Sequence, residues 1–126
     1  MILLHLDTNA LIAILNPHGA IYQEVRRHCE KGAIPAASSI AWHEFVRGPI
    51  IADELLLIER IVGKQVRPVN RSTAELAARL FNATGRRRGS TADCLIAASA
   101  IEDKALFITS NKDDFEPFIA WGLSLL

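Results

Sequence analysis

The chain has 126 residues, half of them hydrophobic and 22% charged, with 14 basic against 14 acidic side chains. That size fits one domain with a real core. The balance excludes a disordered chain and argues against a general nucleic-acid coat, which needs excess positive charge. The apolar runs are too short for a transmembrane helix. No basic leader precedes the start MILLHLDTNALIAIL, so no signal peptide is expected. Two cysteines, Cys29 and Cys94, suggest neither a disulfide framework nor a zinc pattern, and a reducing cytoplasm is the expected location.

Residues 2–6 (ILLHL) read as a buried strand, Asp7-Thr8-Asn9 as a turn and cap, and residues 10–15 as a short helix broken by Asn16-Pro17. A helix over 20–31 follows from Ile21 and Val25 at i, i+4, with Gly32 ending it. Ala33–Ala37 suits a second strand. Ser38-Ser39 offers a cap for a helix carrying Trp42, Glu44, Phe45 and Val46, stopped by Gly48-Pro49. Ile51, Leu55, Ile58 and Val62 keep helical spacing over 50–62, and 65–69 reads as a short third strand.

Ser72-Thr73-Ala74-Glu75 has the pattern of a capping box and opens a helix to about residue 84. Gly85-Arg86-Arg87-Arg88-Gly89 is a loop, and Ser90-Thr91-Ala92-Asp93 opens another helix to about Asp103. Ala105–Thr109 is a strand, Asn111–Phe118 a loop with a helical turn, and Gly122–Leu126 a last strand. Strands alternating with helices imply a single domain built as a three-layer α/β/α sandwich around a central, mainly parallel sheet.

In such a sheet ligands bind beyond the carboxyl ends of the strands. Four acids, Asp7, Glu44, Asp93 and Asp114, follow an apolar run or sit where a helix starts. Each has a local explanation. Asp7 is a helix cap, Glu44 a surface acid paired with Arg47, Asp93 the fourth residue of a capping box, and Asp114, like Asp113, a turn acid. Yet Asp93, Ile96, Ala97 and Ala100 share one small apolar stripe, so the acid heads a face that packs on the sheet. One shared account covers all four: carboxylates for Mg2+ or Mn2+, hard ions that favour oxygen donors.

Charge is unevenly spread. Residues 71–91 hold five arginines against Glu75, and residues 92–126 hold two lysines against six acids. Arg86, Arg87 and Arg88 thus adjoin the acidic half. They are either a solvated charge run or phosphate contacts for a nucleic acid. Trp42 and Trp121 could stack on bases or pack in the core or at an interface. His43 has no partner at ligand spacing and reads as surface, and Cys94 reads as a small buried filler.

LDTNALIAIL, WHEFVRG, STADCLIAASAI and ITSNKDDFEPF resemble, in order, the four motif regions of PIN-domain ribonucleases, most nearly the VapC-type toxins of bacterial toxin–antitoxin pairs. The resemblance spans Ile2 to Phe118. It implies metal-assisted hydrolysis of RNA phosphodiester bonds, with Mg2+ or Mn2+ held by Asp7, Glu44, Asp93 and Asp114. Thr8, Asn9 and Thr109 would assist, and Asn111 occupies a place where some relatives carry the fourth acid. It also implies a VapB-type antitoxin partner and a homodimer, with the helices at 20–31 and 50–62 as surfaces for either. A PIN-like module that only binds partners is the main rival. A phosphoacceptor receiver domain fits less well because Thr8 and Asn9 follow Asp7. A haloacid-dehalogenase-type phosphatase needs Asp where Asn9 stands.

Overall fold

A computed structural model describes residues 1–126. Its sheet comprises β1 (Leu3–Leu6), β2 (Ile34–Ser38), β3 (Val66–Arg67), β4 (Leu106–Ile108) and β5 (Ser124–Leu125). The order is β3-β2-β1-β4-β5, and all four pairings are parallel. Seven helices connect and cover it: α1 (Thr8–Ala13), α2 (Ala20–Glu30), α3 (Ser39–Val46), α4 (Ala52–Val62), α5 (Arg71–Ala83), α6 (Thr91–Glu102) and α7 (Lys112–Phe115). The expected α/β/α sandwich is present, with a sheet that is wholly and not merely mainly parallel.

Every residue of β1 is buried, as a central parallel strand covered on both faces requires. The chain builds outward from β1 through β2 to β3, then returns to place β4 on the other side of β1. That reversal is a topological switch point, and it opens a crevice beyond the carboxyl ends of β1 and β4.

The short β3 follows a 3-10 turn at Gly63–Gln65 and ends before Pro68, which has no N–H for the ladder. The last strand is likewise shorter than 122–126. Gly122, at φ 104°, instead closes the 3-10 helix Glu116–Trp121 in a left-handed conformation that a side chain would strain.

Two helix caps differ from expectation. Asn70, not Ser72, caps α5: its side chain accepts from Thr73 N at 3.0 Å, and its own N–H donates to Thr73 Oγ1 at 3.3 Å. Glu75 is left to pair with Arg71 at 2.7 Å. At α6 the Ser90 side chain makes no capping bond and donates instead to the Arg87 carbonyl at 2.7 Å. α6 is also buried on more than one stripe, since Cys94 and the run Ile96–Ala100 are all inside. Small residues let α6 lie against α5 on one side and against β2 and α3 on others.

One buried polar network was not foreseen. His5, in the middle of β1, donates from Nε2 to Asp103 Oδ2 at 2.7 Å, and Arg67 Nε reaches the same oxygen at 3.1 Å. Burial, outweighing the Asp103 carboxylate, pushes His5 below its ordinary value, so the ring is neutral and its Nδ1 has no partner. Asp103 thereby ties β1, β3 and the end of α6 together. Asp103→Ala would strand His5 and Arg67 and is expected to cost about 1–3 kcal/mol in urea unfolding. A loss within 0.5 kcal/mol or so would show that the network contributes nothing net.

Candidate metal and active site

Asp7 leaves β1 at the switch point, and Thr109 leaves β4 beside it. The two strands stay paired through Asp7 N to Ile108 O at 3.1 Å. Asp7 is 5% exposed. Its Oδ1 accepts from Thr8 N at 2.7 Å, and its Oδ2 accepts from the fully buried Thr109 hydroxyl at 2.9 Å. Asp7 therefore caps α1 from the carboxyl end of β1, beside the switch point.

Thr109 Oγ1 is the hub of this corner. It also receives Asn111 N at 3.0 Å and lies 3.3 Å from Asn9 Oδ1, which accepts Ser110 N at 3.1 Å. Asn9 and Thr109 thus lace the start of α1 to the loop after β4. Thr8 does different work: its hydroxyl donates to Glu44 Oε1 at 2.6 Å, fixing an acid that comes from α3. Arg47, one turn on, holds the other Glu44 oxygen more loosely, at 3.8 Å.

Asp93 sits in the first turn of α6. Its carboxyl is raised from 3.8 to about 6, first by burial, then by the like charges of Asp7, Asp114 and Glu44, with Arg87 opposing. Burial likewise raises Asp7, with further repulsion from Glu44 and Asp114, although the Thr109 and Thr8 bonds pull the other way. Asp7, Glu44 and Asp114 each repel Asp93, so the four carboxyls share one region of the fold, though 107 residues of sequence separate the first from the last.

Asp114 lies on α7, which is pinned by Phe115. That ring is buried against Phe107 and Phe118, with centroids 4.7 and 5.9 Å away. Asp114 acts on both Asp7 and Asp93, whereas Asp113 and Asn111 are exposed and act on neither. Beside the acids, a cleft of about 510 Å³ is lined by Thr109–Asp114 and Ile21. Lys112 in that lining was not singled out from the sequence, where a lone lysine in an acidic turn gives no signal.

The donor set suits a hard divalent ion. All the candidate ligands are oxygens, and a bound cation would relieve their repulsion. No three Asp, Glu, His or Cys side chains lie close enough together to hold a metal ion as a group. Mg2+ commonly takes one or two carboxylates and keeps several waters, which an open arrangement such as this allows.

His43, Trp42, Trp121 and Cys94 take no part in the hydrogen bonds that hold the acids. His43 is exposed, Trp42 packs on Phe45 at 5.8 Å, and Trp121, the last residue of the 3-10 helix, is exposed. Cys94 is buried, and burial holds its thiol above the usual range.

A parallel α/β sheet with acids near its switch point defines the class: an α/β domain with an acidic crevice. More particularly, the sequence matches the PIN domain over residues 4–117, and the chain belongs to that family. No curated protein matches the sequence significantly.

Solved structures share the fold at low identity. One is the VapBC2 complex of Rickettsia felis bound to a DNA fragment from its promoter, with 20% identity, TM-score 0.75, and 99% of this chain and 98% of that one covered. A second is VapBC-1 of nontypeable Haemophilus influenzae, at 19%, 0.72, 99% and 97%. DNA-bound VapBC of Salmonella typhimurium gives 19%, 0.72, 100% and 98%.

Proposed function

We propose that this protein is a divalent-metal-dependent endoribonuclease that hydrolyses RNA phosphodiester bonds, and that it is the toxin of a VapBC-type pair. The observation that carries the proposal is the convergence of four acids, from four separate segments, at the switch point of a PIN-domain sheet. The similarity in fold to chains of VapBC complexes supports the toxin assignment and a VapB-type antitoxin as partner.

When bound, Mg2+ or Mn2+ would supply Lewis acidity and activate water for attack on phosphorus. Asp7 and Asp93 would hold it, with Glu44 and Asp114 completing the set directly or through water. Thr109 orients Asp7 and Thr8 orients Glu44, so neither carboxylate must be ordered at the moment of reaction. The cleft along Thr109–Asp114 would take the RNA strand, with cations of the loop before α6 on its phosphates.

Of the two helices expected to offer a partner surface, α4 is the better suited. Ile51 at its start and Leu56 and Leu57 on it are exposed apolar side chains, available to an antitoxin or to a second copy of the chain. α2 turns Ile21, Tyr22 and Val25 to the core and carries the surface pairs of Arg26 with Glu30 and Arg27 with Glu24 outside.

The test is to incubate the purified protein with total RNA, with Mg2+, Mn2+ or chelator, and to map the ends produced. Discrete cuts that chelator abolishes are expected. Intact RNA under every condition would return the protein to a PIN-like module that only binds partners.

A further inference from the structure

Arg86, Arg87 and Arg88 adjoin one another in sequence, but their side chains go three ways. Arg86 turns back onto α5, donating to Asn82 Oδ1 at 2.5 Å with its guanidinium 5.5 Å from the centre of the Phe81 ring. Its φ of 54° sends the chain around the corner there. Arg88 is exposed. Arg87 is the one that meets an acid, with Nη1 3.8 Å from Asp114 Oδ1.

The backbone of Arg87 is fixed to the head of α6. Buried Ser90 donates twice to the Arg87 carbonyl, from its hydroxyl at 2.7 Å and from its N–H at 3.1 Å. The Ser90 carbonyl in turn receives Cys94 N at 2.9 Å, within the turn that carries Asp93. Arg87 thus starts from a set position beside Asp93 and reaches across to Asp114 on α7. It also lowers the proton affinity of Asp93, whereas Arg47 sits on Glu44.

A divalent ion drawn to Asp93 and Asp114 would meet a guanidinium already sharing those charges. We propose that Arg87 is a built-in counter-cation of the acidic crevice, holding Asp114 until a divalent ion displaces it and frees the guanidinium for a substrate phosphate. The proposal rests on the metal-site reading above. Exchange is feasible because the pair is long and half exposed on both sides. Once released, the planar fork of arginine matches two phosphate oxygens, and its anchored backbone keeps it at the edge of the site. Metal binding and phosphate binding would then be coupled through one side chain.

The experiment titrates Mg2+ alone into the purified full chain at low ionic strength by calorimetry, without RNA. Wild type is compared with Arg87→Ala, Arg87→Lys and Arg88→Ala. Removing the competitor is expected to tighten Mg2+ binding about three- to fivefold, the reach of one exposed ion pair. Arg87→Lys should return the affinity toward wild type, and Arg88→Ala should leave it unchanged. The side chain is exposed, so Arg87→Ala is expected to fold, and a melting curve checks this. Mg2+ affinity in Arg87→Ala equal to or weaker than wild type overturns the proposal while leaving the metal site standing. No Mg2+ binding in any variant overturns both.

Discussion

Asp7→Asn and Asp93→Asn are each expected to reduce metal-dependent RNA cleavage by about 10³-fold or more, because loss of a direct carboxylate ligand removes several kcal/mol of charge stabilisation. The fold should survive both changes. In Asp7→Asn the new amide would keep an oxygen for Thr8 N, and the Thr109 hydroxyl can accept as readily as it donates. Asp93→Asn would remove a charge that its surroundings already oppose. Glu30→Gln is the control: it is exposed at the carboxyl end of α2, just before β2, at the opposite edge of the sheet. Its cleavage rate should stay within about twofold of wild type, as for a surface change away from the chemistry. Wild-type turnover by purified Asp7→Asn would sink the metal mechanism.

The strand and helix order was legible because short apolar runs alternate with capped, periodic segments. Asp7 and Asp93 stood out for a related reason: each is a charge at the end of an apolar pattern, where the pattern itself says which edge of the sheet it meets. Ranking Asp114 over Asp113 and Asn111 needed Phe115, whose burial fixes which side of one helical turn faces the crevice.

What stayed hidden were partners far apart in the chain. His5 looks like part of an apolar strand until Asp103, 98 residues on, is placed beside it. Thr109 is unremarkable until it is seen bonding Asp7, 102 residues earlier. The three arginines look equivalent as letters, and only the left-handed turn at Arg86 and the anchoring of Arg87 by Ser90 separate them. The cap of α5 was misplaced by two residues for a local reason. Asn, Ser and Thr at 70, 72 and 73 can all cap, and the geometry chose the pair that closes both ways.

These arrangements share a division of labour. The acids repel one another, and the energy that holds them together comes from elements behind the crevice. Asp103 ties β1 and α6 at the far end, Phe115 seats α7, and the Thr8 and Thr109 hydroxyls fix two of the carboxylates. Carboxylates held this way repel one another until a proton or a cation neutralises one of them, and the fold bears that strain. Relieving that strain should therefore be measurable in stability as well as in rate.

In chelator, Asp93→Asn is expected to melt higher than wild type by an amount that grows with pH. The folded protein holds the Asp93 proton up to about 6, whereas the unfolded chain releases it near 3.8. This raised carboxyl contributes stability that is fully present below 3.8 and is lost as pH rises through about 6. At roughly pH 3.5, below the unfolded value, the two proteins should therefore melt at similar temperatures. At about pH 7.5 the variant should lead by roughly 3–5 °C, corresponding to about 1 kcal/mol once solvent screening of a partly exposed group is allowed for. The comparison must be made as a difference, because buried His5 has the opposite sense: its lowered value contributes stability above its ordinary 6.5 that is lost as pH falls. His5 is common to both proteins and cancels. Mg2+ should reverse the order at about pH 7.5, raising the wild-type melting temperature through binding to the folded state while leaving Asp93→Asn nearly unmoved. That gain should fade as pH falls through about 6, because the proton and the ion compete for the same carboxylate. A melting difference that stays flat from about pH 3.5 to 7.5 would mean that Asp93 does not feel the other acids, and the crevice would then be no site for a shared cation.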